Sequence, residues 1–373
     1  MSDIKRIAIF IAVILAVLLL ANSFVGSNIM DRAIIIGIGV DGDEDGIRLT
    51  AEIVNPGNGS EQVGTYSKTV SANGKSVGQA IQRIAELTGK EASLGRCLLI
   101  VLGQELYENV DFSDVIDYFI NSDSFKESSA ICCATGKAEQ LLNRGFALSQ
   151  SVSLALSTML QDQAKKVAVS TNTLLDYALS QRDLLKTGFL NNVSFIPSEN
   201  ADTENPEEKQ GYFAMDSIAV FRENTYLCAL SRDEVKGFAL LDDSVLGDTF
   251  TSDASGKLLT LNVNSKKVDK KIQGDAISVT VTLYAKLART DSADVEGVFV
   301  SQDKKEIPQE TIDDVTRQAI SLAEKMLKKQ VEYNFDLLEI HEKFRQKTGS
   351  SEELSNRAMS EIPITLELKI IEK

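Results

Sequence analysis

The hydrophobic pattern opens with one long apolar segment, Ile7–Val25, which carries no charge and only two polar residues. A helix needs about 20 apolar residues to cross the hydrocarbon core of a bilayer, so this segment is long enough to span it. Lys5 and Arg6 precede it, and the positive-inside rule keeps such residues in the cytoplasm. We therefore predict that residues 1–27 form a cytoplasmic stub and a single-pass anchor, with the rest of the chain extracytoplasmic.

Two other interpretations of this segment stay open. Ala21-Asn22-Ser23 offers a small-residue site for signal peptidase, although the apolar core of a secretory signal is usually only about 7–15 residues long. A buried core helix is the other alternative, and the terminal position and basic flank of the segment disfavour it.

Strand and helix patterns alternate between residues 28 and 135. Runs rich in β-branched residues predict strands, and apolar residues at helical spacing from Ser76 to Gly89 predict a helix. The predicted strands are Ala33–Asp41, Ile47–Val54, Thr65–Val70, Cys97–Gly103 and Ser128–Ala134. The first two surround an Asp/Gly turn, which predicts a β-hairpin.

The pattern changes after residue 135. Leucine-rich helical spacing predicts a helical middle domain over 136–246, with an acidic loop at 198–210 and then a β-hairpin that turns at residues 222–224. A C-terminal α/β domain is predicted over 247–373. Its elements include a long amphipathic helix at Thr311–Val331 and a closing strand at Ile362–Ile371.

The fold class predicted from these patterns is α+β, or mixed α/β. We expect three modules, over 28–135, 136–246 and 247–373. Each should be a mainly antiparallel or mixed sheet with helices packed on it, and an N-terminal transmembrane helix should precede them.

Charge and histidine content then limit the function. The chain has 39 Lys and Arg against 54 Asp and Glu, a net charge of −15. This balance disfavours nucleic acid and anionic lipid headgroups as partners, since both require basic patches. The single histidine, His341, lies in a charged stretch and is predicted to be a solvated helix residue. One histidine also excludes a metal site with several His ligands.

The four cysteines do not indicate a disulfide scaffold or a redox motif. Cys97 and Cys228 lie in apolar runs and are predicted to be small buried hydrophobic residues. Cys132 and Cys133 are adjacent, so on a strand they would point to opposite faces. No basic partner that could activate a thiol nucleophile is evident.

One motif matches a metal-binding pattern. DGDEDGIRLTAE fits the EF-hand loop, with Asp41, Asp43 and Asp45 at positions 1, 3 and 5, Gly46 at 6 and Glu52 at 12. Both flanks, however, have strand patterns rather than helical ones. In a straight strand Glu52 would lie about 20 Å beyond Asp45, too far to bind the same ion. We therefore predict an acidic hairpin turn, and a weak partial Ca²⁺ site at Asp41, Asp43 and Asp45 stays as the alternative.

Motifs for catalysis and cofactor binding are missing from the sequence. It contains no G-x-S-x-G, no P-loop and no dinucleotide fingerprint. Gly37 and Gly39 are followed by an acidic turn and a strand, not by a helix N-terminus that could hold a phosphate. We predict that the protein is not an enzyme and uses no cofactor.

Four blocks follow one another in a recognisable order. They are DRAIIIGIGVDGDEDGIRLT directly after the apolar segment, RCLLIVLGQEL, GYFAMDSIAVFRENTYLCALSRDEVKGFALL and KKQVEYNFDLLEI. Their order and spacing resemble the Ger(x)C-type spore germination proteins over nearly the whole chain. The resemblance implies the C subunit of a nutrient germinant receptor in the spore inner membrane, beside integral membrane A and B subunits. It implies no enzyme activity and leaves the small-molecule germinant unassigned.

The sequence departs from this family at the end of the apolar segment. Family members are typically lipoproteins with a Cys directly after it, whereas ANSFVGSNIMDR contains none, so a thioether-linked lipid cannot be attached there. The family comparison therefore implies that Ile7–Val25 itself holds the protein in the bilayer. Trp is absent, and the usual glycine after Asp336 is missing, so the C-terminal module matches less closely.

Three functions are weighed on this basis. A germinant-receptor subunit that scaffolds its partners or transmits their signal is the leading hypothesis. A membrane-anchored extracytoplasmic ligand-binding protein unrelated to germination is the alternative. An anchored hydrolase is the least favoured, because no nucleophile and base can be paired in the sequence.

Mass spectrometry of the mature N-terminus tests the predicted anchor. We expect the segment Ile7–Val25 to remain attached, because it is longer than a usual secretory signal and lacks a lipidation cysteine. A mature chain that begins near Phe24 or Asn28 would contradict this prediction.

Overall fold

A computed structural model of the chain describes residues 32–55, 66–146, 151–166, 173–182, 186–198, 210–242, 249–256, 258–290, 306–348 and 357–372. The predicted anchor and most of the acidic loop lie outside these residues. Within the described ranges, no helix combines the length and the apolar composition needed to cross a membrane.

The described helices and strands alternate in the first half of the chain. The helices are α1 (Val77–Thr88), α2 (Gln104–Asn109), α3 (Ser113–Ile120), α4 (Ala138–Asn143), α5 (Val152–Lys166), α6 (Leu174–Ser180), α7 (Arg232–Leu241), α8 (Gln309–Glu332) and α9 (Ile340–Thr348). The strands are β1 (Arg32–Asp43), β2 (Gly46–Asn55), β3 (Tyr66–Gly74), β4 (Glu91–Ser93), β5 (Leu99–Leu102), β6 (Ala130–Ala134), β7 (Gly145–Phe146), β8 (Thr187–Pro197), β9 (Gln210–Arg222), β10 (Thr225–Leu230), β11 (Thr249–Ser252), β12 (Leu259–Gln273), β13 (Ala276–Thr290) and β14 (Ile364–Glu372).

The first sheet contains β1 to β10. Its strands lie in the order β10-β9-β8-β6-β5-β1-β2-β3, with β4 paired to β1 and β7 paired to β9. Parallel pairing joins β1, β5, β6 and β8 at the centre, and antiparallel pairs flank them on both sides. Every residue of β5 and β6 is buried, as expected for parallel strands that are covered on both faces.

Helices cover both faces of this sheet. The first core packs α1, α2, α3 and α6 against one face, and the second core packs α4 and α5 against the other. Cys133 lies in the first core and Cys132 in the second, which confirms that these neighbours point to opposite faces. Cys97 and Cys228 are buried, as predicted.

The second sheet contains β11 to β14 in chain order, with β13 and β14 parallel. Side chains from α7, α8 and α9 complete its C-terminal core. Helices α7 and α8 come very close at Gly237, where a Cβ would lie 2.1 Å from the carbonyl oxygen of Leu322. Only glycine allows the two helices to approach this far.

The β9–β10 hairpin is shared between two cores. Ile218 and Val220 of β9 point into the C-terminal core, whereas Ala219 and Phe221 point into the first core. This is the two-residue alternation of a strand, here with both faces buried. The hairpin thus belongs to the first sheet, and its side chains also pack in the core of the second sheet.

Phe221 is the centre of an aromatic cluster in the first core. Its ring centroid lies 5.9 Å from that of Tyr107, 5.2 Å from Phe112, 6.0 Å from Tyr177 and 6.1 Å from Tyr226. The partners come from α2, from the residue before α3, from α6 and from β10. Phe221 therefore fixes the position of the hairpin against three helices of the other half of the chain.

Several predicted elements are confirmed. The predicted amphipathic helix at Thr311–Val331 is α8, and the predicted acidic hairpin is β1–β2, which turns at Glu44 and Asp45. The closing strand is β14, although it pairs in parallel with β13. The mixed α/β class is therefore correct.

A separate sheet for each of three modules is wrong for the described strands, which form two sheets. The strands described within 136–246 form no sheet of their own, because β8 pairs with β6 and carries β9 and β10 into the first sheet. The predicted boundary after residue 135 therefore falls between paired strands. The domain division itself stays a prediction.

Strand β8 is missing from the sequence prediction. Asn191 and Asn192 interrupt its apolar pattern, yet both are buried. Asn192 accepts a hydrogen bond from the Tyr107 hydroxyl at 3.4 Å and donates one to Ser217 Oγ at 3.3 Å. Partners distant in sequence thus satisfy a polar residue at a central strand position.

Replacing Phe221 by alanine should lower the free energy of unfolding of the full chain by about 3–5 kcal/mol, because a fully buried ring and its four aromatic contacts are lost. Chemical denaturation in detergent measures this. Tyr212→Ala is the matched control on the same strand. Its ring is 48% exposed, so a cost below about 1 kcal/mol is expected. Equal costs for the two variants would contradict the proposed role of Phe221.

Candidate functional site

Two carboxylates of the calcium-like motif are buried at the starts of helices. Asp41 accepts hydrogen bonds from the backbone N–H groups of Ala138 at 2.7 Å and Glu139 at 2.9 Å, the first two residues of α4. Residue 137, at the N-cap position, provides no side-chain hydrogen bond. A carboxylate from the central strand β1 therefore caps α4 and also complements its dipole.

Glu52 has the same role at α5. Its Oε2 accepts the backbone N–H of Ser153 at 2.8 Å, and its Oε1 accepts Ser67 Oγ at 2.5 Å. Only 2% of Glu52 is exposed to solvent. The last residue of the calcium-like motif therefore attaches α5 to the sheet.

Two glycines make room for these contacts. A Cβ at Gly103 would lie 1.9 Å from Asp41 Oδ1, and a Cβ at Gly37 would lie 1.7 Å from Ser153 Oγ. Any side chain at either position would displace the carboxylate or the helix start that it caps. Gly37 therefore has a steric role, which is consistent with the absence of a phosphate-binding pattern around it.

The structure does not bring the predicted cation ligands together. Both oxygens of Asp41 face α4, Asp43 accepts the side-chain amide of Asn73 at 2.7 Å, and Asp45 is exposed at the hairpin turn. In the part of the chain that the structure describes, no group of three or more His, Cys, Asp or Glu side chains is placed to hold a metal. The weak Ca²⁺ site is a prediction without geometric support.

An ion pair at the rim of the second core adds to this network. Glu139 accepts two hydrogen bonds from Arg48, at 2.7 and 2.8 Å, and one from Ser71 Oγ at 2.9 Å. The Arg48 hydrogen bonds lower the pKa of the Glu139 carboxyl. For Asp41, burial is the largest effect and raises its pKa, against the lowering effect of the two α4 N–H groups.

The prediction that His341 is a solvated helix residue is wrong. His341 is 1% exposed rather than solvated, because it lies on the buried side of α9 between Ile340 and Phe344. Its Nδ1 lies 2.9 Å from Asp336 Oδ2 and its Nε2 lies 2.8 Å from the Arg357 carbonyl oxygen. The spacing of Asp336, five residues ahead of His341, was the only sequence signal for this cap-like pair.

The cysteines are not placed for nucleophilic chemistry. Burial raises the pKa of Cys97 and of Cys132 to about 12, and that of Cys228 to about 11. These thiols therefore stay protonated at neutral pH and lack the thiolate that attacks a substrate.

Two family models match the sequence. Residues 26–183 match the model described as "Spore germination protein N-terminal domain", and residues 216–371 match the model described as "Spore germination B3/ GerAC like, C-terminal". Among solved structures, the chain is similar to the "Crystal Structure of the GerBC protein", with 15% sequence identity and a TM-score of 0.49 over 90% of this chain and 96% of that chain. No curated protein gives a significant match.

The described residues define a mixed α/β protein whose strands form two sheets, in which buried ionisable side chains hold helices and turns in place. The two family models occur in order and together span most of this chain. The chain belongs to the Ger(x)C family of spore germination proteins, the family of germinant-receptor C subunits, as the four sequence blocks indicate.

Removing the cap of α4 tests the structural role of Asp41. We expect Asp41→Ala to cost about 1–2 kcal/mol of unfolding free energy, because two N–H groups at a buried helix start lose their acceptor. Faster hydrogen exchange in α4 should accompany the loss. Asp45→Ala, at the exposed turn of the same hairpin, should stay within about 0.5 kcal/mol. If Asp45→Ala were the more costly change, the acidic motif would have another role.

Proposed function

We propose that this chain is the C subunit of a nutrient germinant receptor, a non-enzymatic protein anchored in the spore inner membrane with its bulk extracytoplasmic. In this proposal it scaffolds the integral membrane A and B subunits or transmits their signal. The observation that carries it is the match of both family domains, in order, over residues 26–183 and 216–371 of one chain.

The use of the buried polar groups supports a role in assembly. Asp41 and Glu52 are occupied by helix starts, and His341 is occupied by Asp336 and a carbonyl group. Side chains that already satisfy one another within the fold are not free to bind or convert a substrate. Asp41, Glu52 and His341, whose side chains could take part in catalysis, therefore hold helices and turns together.

The position of the anchor supports a mechanical link to the sheet. β1 begins at Arg32, seven residues after Val25, and an extended chain of that length spans at most about 25 Å. β1 pairs with β2, β4 and β5 near the middle of the first sheet. In this proposal, a displacement of the anchor acts directly on a central strand.

The acidic turn lies at the opposite end of the same strand. β1 has 12 residues, so Asp43 is about 36 Å from Arg32 along the strand. With β1 directed away from the bilayer in this proposal, anchoring near Arg32 separates the acidic turn, with Glu44 and Asp45, from anionic headgroups at the membrane. This arrangement is compatible with a net charge of −15 on a membrane-bound protein.

Co-purification and germination assays test the proposal together. The full chain, extracted in detergent from spores, should co-purify with A-type and B-type membrane subunits. Deletion should slow germination in at least one nutrient without affecting sporulation, because the receptor would lack a subunit.

The deletion strain complemented with the full chain should recover, and complementation with a secreted chain lacking residues 1–27 should not. Normal germination of the deletion strain in every nutrient, together with expression in vegetative cells, would favour the unrelated ligand-binding protein instead.

A further inference from the structure

A buried polar junction lies where four parts of the chain meet. We define the His341 junction as Arg222 at the end of β9, Asn334 and Asp336 in the turn between α8 and α9, His341 in α9, and Arg357 ahead of β14. Arg222 Nη2 donates to the carbonyl oxygen of Asn334. The junction therefore connects the β9–β10 hairpin to the α8–α9 turn, to α9 and to the segment before β14.

Both ring nitrogens of His341 face oxygen acceptors. Asp336 Oδ2 lies 2.9 Å from Nδ1, and the Arg357 carbonyl oxygen lies 2.8 Å from Nε2. A neutral imidazole carries one N–H and therefore cannot donate to both. The same Asp336 oxygen also accepts the backbone N–H of His341 at 2.8 Å, as a carboxylate does. These two contacts fit a doubly protonated ring, which donates to both oxygens.

The charged groups around the His341 ring have opposite effects on its protonated form. Asp336 attracts the imidazolium, Arg222 repels it, and the side chain of Arg357 is turned to Asp275 at 3.3 Å. Burial by itself lowers the pKa of His341, but the hydrogen bonds to Asp336 and to the Arg357 carbonyl raise it, with a net shift upward from 6.5. The imidazolium is therefore the form that folding favours.

The segment before β14 depends on this junction. The Arg357 carbonyl is held by His341, and two residues later the Met359 N–H donates to Asn334 Oδ1 at 2.7 Å. Asn334 also accepts from Arg222 through its carbonyl oxygen. The segment before β14 and the end of β9 are thus fixed to the same turn.

We propose that His341 is a proton-dependent latch that fixes the segment before β14 to the α8–α9 turn while both ring nitrogens are protonated, and releases it when one proton is lost. After the proton leaves for solvent, a nitrogen lone pair faces oxygen lone pairs at 2.8 or 2.9 Å, so one hydrogen bond becomes a repulsive contact. The released turn also loosens its contact with Arg222.

The direction of the pH dependence follows from the sign of the shift. A histidine with a raised pKa in the folded state stabilises the fold fully below its unfolded value near 6.5. That contribution is lost as the pH rises through the folded-state value. The latch is closed below about pH 6.5, and it opens as the pH rises through the raised pKa of His341 in the folded state.

Because His341 is the only histidine, its ring can be observed directly. NMR of the full chain in detergent, labelled only at histidine, should show two protonated ring nitrogens at pH 6 and a titration midpoint above 6.5. Hydrogen exchange at Met359 and along β14 should accelerate about tenfold above that midpoint, beyond the intrinsic effect of pH on exchange. A tenfold change corresponds to about 1.4 kcal/mol.

Variants separate the latch from general instability. Asp336→Asn should lower the titration midpoint while keeping the histidine signal. His341→Gln should abolish the pH step in hydrogen exchange. Glu342→Gln, the next residue in α9, should change neither. A neutral ring at pH 6, a midpoint at or below 6.5, a ring that never titrates in the folded protein, or exchange of β14 that does not follow the titration would each overturn the proposal.

Discussion

The burial of both faces of β9 at residues 218–221 is the constraint on which the rest of the structure depends. Alternate residues of β9 serve different cores: Val220 packs against the second sheet and Phe221 packs among helices of the first. Strands with two buried faces tolerate neither a register slip nor a charged residue on either side. The two halves matched by separate family models are therefore joined by packing rather than by a linker alone.

Buried charges then determine how the helices attach. Asp41 and Glu52 come from β1 and β2, and each satisfies the start of a helix about 100 residues further along the chain. Gly37 and Gly103 leave the space that these contacts occupy. The same principle recurs at His341, where a buried ionisable side chain joins the α8–α9 turn to the segment before β14. In this protein, the ionisable side chains of Asp41, Glu52 and His341 hold elements of the fold together.

Local patterns were sufficient for elements that depend on their own residues. The period of α8 and the Asp/Gly turn of β1–β2 are set by neighbours in sequence, and both were predicted. Strand β8 was not, because Asn192 is polar locally and is satisfied only by Tyr107 and Ser217. The same limit explains the error at His341, whose charged neighbours in sequence gave no sign that α9 buries its ring.

The sequence by itself determined the mixed α/β class, most of the described helices and strands, and the family, because periodicity and the order of the four sequence blocks are properties of the chain alone. The tertiary structure alone decided that the described strands form two sheets, that the calcium-like motif caps α4 and α5, and that the single histidine is buried beside Asp336. Those outcomes depend on contacts such as Asp41 with Ala138, 97 positions apart. Burial and hydrogen-bond partners at that separation exist only once the sheet has assembled.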